Sequence, residues 1–395
     1  MDTVCNAEWL NTKFALRFPL VKLRLEAEIE FFPPLSARGF PWSIHGGDTV
    51  EVFHSLGGVR SVIRFSTLSF GLAILIMSGC GPSSTSSNTT GKSSQGSTSA
   101  DLPVAIQLNW YPESEHGGVF QAEADGGFRA ADLQVDIRPG GRSAPVAQEL
   151  ALGRVQFGFA NADDVVVYRR QGLDVVAVLA AMQDNPRCIL VQQKSGVDSL
   201  SNLAGLTLQC QAGRPYLEFM RSKGLLDKVK EVPYFGSVAP LVADPKIAIQ
   251  AYSCAEPLLA EQEGAKVRVL MVSKLGWNPY SSVLITTGKL IKEQPDLVRI
   301  FVKATQAGWE SYLKDPAKGN AAILKANDHG MTANVLKYGS EQMRSLAMPP
   351  GDQPKMFGHM SLERWTGLVE QMDALDPSQA ELVKPEDCFT DQFLK

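Results

Sequence analysis

The chain has 395 residues, 44% of them hydrophobic, with interspersed charges summing to −4. That length exceeds one ordinary core and suggests two or three domains. The lack of a basic stripe excludes the usual electrostatic footprint of a nucleic-acid binder, and the composition is that of a globular chain.

Residues 1–58, with stretches such as "FFPPLSARGFPW", carry no clear periodicity. They precede a segment with the grammar of an export signal, "VRSVIRFSTLSFGLAILIMSGC". Arg60 and Arg64 supply the positive start, Phe65 to Met77 the apolar stretch, and Ser78 and Gly79 the small residues before Cys80. The apolar run is short for a bilayer span. Residues 59–79 therefore read as a signal peptide. The stretch before them is either a start site placed upstream of a true start near Val59 or a long leader, and it is left out of the fold. Met77-Ser78-Gly79-Cys80 resembles the bacterial lipobox, with Met77 where Leu is usual. That resemblance implies lipidation of Cys80 and a membrane anchor on the periplasmic or cell-surface face. Residues 81–100, "GPSSTSSNTTGKSSQGSTSA", cannot bury a core and read as a flexible tether, which begins at Cys80.

From Asp101 strand-like and helix-like patterns alternate. "VAIQL" predicts a strand, "GGVFQAEADGGF" a helix, "LQVDIRP" a strand and "SAPVAQELALGRV" a helix that Gly153 stops. "QFGFA" is a short strand, "ADDVVVYRRQG" a helix ending at Gly172, and "DVVAVLAAM" a strand apolar on both faces. The pattern then restarts: strands at "RCILVQQKS", "LTLQC", "EVPYF", "IAIQAYSC" and "KVRVLMVS", with helices at "RPYLEFMRSKGL" and "APLVADP". "SSVLITT" opens a strand that leads into a long amphipathic helix, and the remainder to Lys395 is mainly helical. The stripe Leu362, Trp365, Leu368, Met372 and Leu375 reads as core. The alternation argues for an α/β chain built from parallel βαβ units. The cysteines show no CxxC spacing; Cys188, Cys210, Cys254 and Cys388 read as free buried thiols, with a disulfide among them left open.

Four phrases together resemble one family. They are "NWYPESEHGGVFQAEADGGFRAADLQVDIRPGG", "ELALGRVQFGFANADDVVVYRRQGLDVVAVLAAMQDNP", "DSLSNLAGLTLQ" and "IQAYSCAEPLLAEQEGAKVRVL". They look like periplasmic solute-binding proteins related to the thiamine-pyrimidine synthases of yeast, whose relatives bind nitrate, sulfonates, taurine, riboflavin or pyrimidine precursors for import. The resemblance runs from Asp101 to about Ser311. It implies a type II-like periplasmic binding fold of two α/β lobes with the ligand between them. Lobe one would be 101–189 with 286–395, lobe two 190–285, and "RCILVQQ" and "SSVLITT" the crossing strands.

Such a cleft is built beyond the C-terminal strand ends, where helix N-termini and free N–H groups collect. Four loops fit that position. In "NWYPESEHGG", Trp110 and Tyr111 could stack on a planar ligand, His116 opens the next helix, and Glu113 and Glu115 read as surface charges. In "FANADDVV", Asn161 is a ligand candidate and Asp163 suits either the helix cap or the ligand. In "QAGRPYLEF", Gly213, Arg214 and Tyr216 follow a strand, and the Arg214 fork suits a phosphate or carboxylate. In "YSCAEP", the resemblance places Glu256 on the cleft side, able to accept from an N–H-rich ring.

No nucleophile elbow, dinucleotide fingerprint, phosphate loop or HExxH motif is present, and His116, His329 and His359 lack metal-ligand spacing. The yeast-type synthases consume an active-site histidine and carry a cysteine-rich motif; this chain has His116 but only isolated cysteines. The expectation is therefore a lipid-anchored, monomeric receptor without catalytic residues, metal or cofactor, handing its ligand to an ABC-type permease. A planar heterocycle of the thiamine-pyrimidine kind leads. Riboflavin, sulfonate or nitrate, a synthase-like enzyme, and an envelope sensor or scaffold are the alternatives.

Overall fold

The computed structural model describes residues 51–56, 59–64, 102–351 and 356–394, and the chain divides into two units, 1–93 and 94–395. In the first unit β1 (Glu51–Leu56) and β2 (Val59–Arg64) pair antiparallel, with Leu56 opposite Val59. Most of the expected signal peptide, Cys80 and the tether lie outside the described residues.

The second unit holds two five-stranded sheets. Its strands are β3 (Leu102–Gln107), β4 (Leu133–Arg138), β5 (Phe157–Ala160), β6 (Val175–Met182), β7 (Arg187–Gln192), β8 (Thr207–Cys210), β9 (Lys230–Pro233), β10 (Ile247–Tyr252), β11 (Val267–Met271) and β12 (Ser281–Thr287). The first sheet has the order β4-β3-β5-β12-β6, and the second β11-β7-β10-β8-β9. Parallel pairing joins β3 to β4 and β5, and β8 to β9 and β10, as the alternating pattern predicts. The sheets are mixed, however. β12 runs antiparallel to β5 and β6, and β7 antiparallel to β10 and β11. The reason is where these strands come from. Each arrives from the other lobe and enters its new sheet at the end where the parallel strands finish: Val283 lies opposite Ala160, and Arg187 opposite Tyr252.

Arg187–Gln192 pairs only within the second sheet and Ser281–Thr287 only within the first. The crossings therefore fall at 183–186 and 272–280, just before the boundaries at 190 and 286 implied by the resemblance.

Packing behind the first sheet explains how its rim is held. Helices α1 (Gly117–Ala124) and α2 (Gly127–Ala130) follow β3, α3 (Val146–Ala151) follows β4, and α4 (Ala162–Arg170) follows β5. In the second lobe α5 (Pro215–Ser222), α6 (Ala239–Ala243) and α7 (Glu256–Gln262) play that part. After β12 the chain adds α8 (Gly288–Glu293), α9 (Pro295–Lys314), α10 (Ala317–Ala326), α11 (Ala333–Ala347) and α12 (Leu362–Leu375). α1 lies directly on α9. A Cβ on Gly118 would meet the Trp309 ring at 2.2 Å, and one on Gly308 the Gly118 carbonyl at 2.3 Å. Phe157 stacks on Phe301 at 3.9 Å and Phe128 on Phe301 at 5.1 Å, filling the layer between sheet and helices.

β6 is an edge strand, yet all eight of its residues are buried. The C-terminal tail covers it: Ala177 N–H donates to the Cys388 carbonyl at 2.8 Å, and Ala180 N–H to that of Gly358 at 2.9 Å. Trp365, Leu368 and Met372 of α12 are buried, whereas Leu362 at the head of the stripe is exposed. Cys188, Cys210, Cys254 and Cys388 are all buried and free. No helix among the described residues is long and apolar enough to cross a membrane.

Candidate ligand cleft

A cavity of about 420 Å³ of empty space, including its mouth, lies between the two sheets at their C-terminal strand ends. The first lobe contributes Asn109, Trp110, Glu113, Glu115 and Asn161. The second contributes Arg187, Gln211, Arg214, Tyr234, Gln250, Tyr252 and Glu256.

The loop after β3 builds most of the first wall. It tightens into a 3-10 turn at Ser114–His116 before α1 begins. Gly117 is required there, because a Cβ would stand 2.2 Å from the Tyr312 ring. Trp110 faces Tyr234 with ring centroids 6.5 Å apart and planes only 9° from parallel. Rings in direct contact lie closer, as Phe157 and Phe301 do at 3.9 Å.

His116 sits elsewhere than expected. It is fully buried, packs edge-on against Phe159, and does not line the cavity. Its Nδ1 accepts from the Glu113 N–H at 3.3 Å, so Nε2 carries the proton and donates to Asn109 Oδ1 at 3.0 Å. Burial pushes its pKa down to about 3. The imidazole is a neutral strut that aims Asn109 into the cavity. The reason is the turn, which points residue 116 at the core and residues 113 and 115 at the cleft.

Tyr111 is likewise displaced. It stacks on His329 at 3.6 Å and does not line the cavity, since the turn of the loop sends alternate side chains apart. Gly213 is exposed, at φ 75°, and serves the turn before α5 rather than the cleft.

Asn161 does line the cavity, and it is the helix cap of α4. Its own N–H donates to Asp164 Oδ2 at 3.1 Å. Its Oδ1 accepts from the Ser281 hydroxyl at 2.7 Å and the Tyr252 hydroxyl at 3.1 Å, tying β5, β12 and the second lobe together. Ser282 beside it adopts φ 46°, a left-handed conformation unusual for a side-chain-bearing residue. Asp163 is the second residue of α4, not its cap; burial and then Asp164 push its carboxyl up to about 7.

Arg214 bridges the cleft. Its Nη1 donates to Asp164 Oδ1 at 2.5 Å and its Nε to Gln211 Oε1 at 3.2 Å, so two of its three nitrogens are engaged by the protein. Tyr216 lies behind the wall, donating to Gln250 Oε1 at 3.1 Å. It lines a small adjoining cavity with Asp163, Asn185, Arg187 and Trp277.

Glu256 stands at the first position of α7, facing the cavity. Its Oε2 accepts from the Tyr252 N–H at 2.8 Å and its Oε1 from the Tyr234 hydroxyl at 3.3 Å. Burial raises its pKa, and it raises that of Glu113 further, after burial itself. Glu115 is pushed up to about 8, first by burial, with Arg187 pulling the other way. Among the described residues no group of His, Cys, Asp and Glu is arranged to hold a metal ion.

Sequence reasoning missed eight lining residues: Asn109, Glu113, Glu115, Arg187, Gln211, Tyr234, Gln250 and Tyr252. The two glutamates sat in the right loop but read as surface charges. Tyr234 follows β9 directly, and the strand-end rule that found the other loops reaches it too.

Residues 113–319 match the family model described as "NMT1/THI5 like". A formylaminopyrimidine-binding protein of Halalkalibacterium halodurans is 23% identical over 82% of this chain and 98% of its own. A 4-amino-5-hydroxymethyl-2-methylpyrimidine phosphate synthase of Legionella pneumophila is 22% identical over 56% and 73%. Among solved structures, a putative periplasmic sulfonate-binding protein of an ABC transporter from Methylobacillus flagellatus superposes with a TM-score of 0.54. That match has 16% identity and covers 74% of this chain and 93% of the other, a likeness of fold.

Proposed function

The chain belongs to the NMT1/THI5-like family, and from that premise we propose that it is the substrate-binding component of an ABC importer, taking a small planar nitrogen heterocycle. The observation that carries this reading is the pairing of two parallel aromatic rings, Trp110 and Tyr234, with three carboxyl groups, Glu113, Glu115 and Glu256, in one cavity. Aromatic walls hold a flat ring by its faces. Carboxyl oxygens accept from ring and amino N–H groups. A thiamine-type pyrimidine precursor fits both features best. Nitrate or a simple sulfonate needs a cationic pocket; here Arg214 is already bound to Asp164, and Arg187 shares the cavity with three glutamates. Riboflavin is a larger ring system and remains the second heterocycle to test. The lobes, taken as 101–189 with 286–395 and 190–285, close on the ligand through Trp110, Asn161 and Glu256.

The receptor acts as a monomer on the outer face of a bacterial membrane, held by a lipid on Cys80, and delivers its ligand to a permease. Replacing Cys80 by Ser should release the chain from the membrane fraction; retention there would remove the anchor. A synthase-like reading has less support. His116 is locked inside the core, and Cys188, Cys210, Cys254 and Cys388 are buried. Burial raises the pKa of each of these thiols.

Calorimetric titration tests the function directly. An aminopyrimidine should bind saturably, one per chain, raise the melting temperature, and be recovered unchanged. If sulfonate or nitrate binds and no heterocycle does, the ligand class is wrong. If purified protein with pyridoxal phosphate and iron forms a pyrimidine product, the receptor reading falls.

A further inference from the structure

Helix α12 is fixed to the first lobe, since Arg170 of α4 donates to Asp373 Oδ1 at 2.5 Å. From near its start Arg364 reaches the two segments that cross between the lobes. Its Nη2 donates to the Gln183 carbonyl at 2.6 Å and to the Asn278 carbonyl at 2.9 Å. Its Nη1 donates to Gln183 Oε1 at 3.4 Å, and its guanidinium carbon lies 3.9 Å from the Tyr280 ring centre. One planar cation thus holds a carbonyl from each crossing and lies on a ring from the second. The rigid fork of arginine suits that task, and its bonds are strengthened by its charge.

The crossings are also tied to each other beside it. Asn278 Nδ2 donates to Asp184 Oδ1 at 2.9 Å, the Asn185 N–H to Asn278 Oδ1 at 2.7 Å, and Asn185 Nδ2 to the Pro279 carbonyl at 3.1 Å. The N–H groups of Gln183 and Asp184 both donate to the Leu346 carbonyl, and the Ala162 N–H donates to that of Tyr280. Residues 183–185 and 278–280 are therefore built into the first lobe. Their neighbours belong to the second. The Pro186 carbonyl accepts from the Ser253 N–H at 2.9 Å, and Trp277 is buried against Phe219 of α5 with ring centroids 5.2 Å apart. Gly276, next to it, has φ 99°, a conformation open to glycine and strained for other residues.

We propose that Arg364 is a positioning residue for ligand capture: it pins both crossings to the first lobe and so fixes the pivot of closure, at Asn185–Pro186 on one and at Gly276 to Asn278 on the other. This assignment rests on the receptor reading above, in which the lobes move. Arg364 does not line the ligand cavity; it lines a separate hollow with Gly276, Asn278 and Tyr280. Its effect on affinity runs through the pivot. Without it two carbonyls lose their shared donor and the bending part of each crossing lengthens. The free lobes then sample more open orientations, and closure must order more of the chain. The Gln371 side chain of α12 reaches across the pivot to the Gly276 carbonyl at 3.2 Å, a solvent-exposed bond that opening breaks.

The full chain is compared as wild type, Arg364→Met, Arg364→Lys and Arg170→Met. The last removes the tie between α12 and α4 and touches neither crossing. Solution scattering reads the radius of gyration without ligand, and calorimetry reads the affinity for an aminopyrimidine. Arg364→Met should enlarge the free chain and weaken binding about three- to thirtyfold, the range for residues that act on a distant site. Arg364→Lys should restore most of both, because an ammonium still reaches the two carbonyls. Arg170→Met should lower the melting temperature and leave radius and affinity near those of the wild type. Should Arg364→Met fail to fold, Arg364→Gln replaces it with the same expected outcome. Unchanged radius and affinity in the Arg364 variant overturn the proposal. So does an Arg170→Met variant that shifts both readouts as far, since the role would then be stability alone. If the aminopyrimidine does not bind the wild type, the heterocycle reading fails, and the radii of the free chains decide the pivot by themselves.

Discussion

The rim of the cleft and the packed layer behind it meet between two neighbouring residues, Glu115 and His116. Both are ionisable and both are buried, yet they do opposite work. Glu115 faces the cavity with an oxygen that lacks a protein partner. His116 faces the core with both ring nitrogens engaged. The layer behind is built for stability: Trp309, Phe157 and Phe301 are fully buried, and Phe157 stacks on Phe301 at 3.9 Å. The rim concentrates carboxyl groups that each resist being charged. Stability and recognition are thus separated by one peptide bond, and substitutions on the two sides should fail in different ways.

The largest effect belongs to the core. Trp309→Ala should cost about 3–5 kcal/mol, as large aromatic truncations do. Its melting temperature should drop sharply while affinity at low temperature stays near that of the wild type. Loss of affinity without loss of stability would blur the division. Next is Trp110→Ala, which should weaken heterocycle binding at least about tenfold, or ~1.4 kcal/mol, with little change in melting temperature. An unchanged dissociation constant would remove Trp110 from the binding wall.

The two ionisable neighbours sharpen the comparison further. Glu115 is raised from 4.5 to about 8, so the folded state holds its proton more tightly than the unfolded chain. Its share of stability is therefore lost as pH climbs from about 4.5 to about 8. His116 is lowered from 6.5 to about 3, so the unfolded chain takes the proton first, and stability falls as pH drops through that window. Melting curves from pH 5 to 9 should show Glu115→Gln losing less stability than the wild type on the alkaline side. Glu113 and Glu256 leave part of that slope in place. Identical slopes would mean that Glu115 is not buried as described.

A smaller effect is expected at the bridge across the cleft. Arg214 is one-third exposed and Asp164 largely buried, so their ion pair is worth about 1 kcal/mol or less after solvent screening. Asp164→Asn should reduce affinity several-fold and raise the radius of gyration of the free chain in solution scattering. A more compact variant would contradict a closing role for the pair.

Much of this protein was legible in its amino-acid order. Alternating apolar runs mark the strands, and Gly153 and Gly172 end helices with φ of 67° and 81°. The positions that follow strands pointed to Trp110, Asn161 and Glu256, because in any α/β lobe those positions gather at one edge. What pattern could not determine was direction within a loop. Glu113, Glu115 and His116 read as two surface charges and one contact, and folding reversed the roles. Glycine positions 117, 118 and 308 let α1 settle against α9, and that close packing turns His116 inward and the glutamates outward to the cleft. Arg187 and Tyr234 join Trp110 only because the chain crosses at 183–186 from the first sheet into the second. A pairing between residues more than a hundred positions apart is a property of the tertiary structure alone.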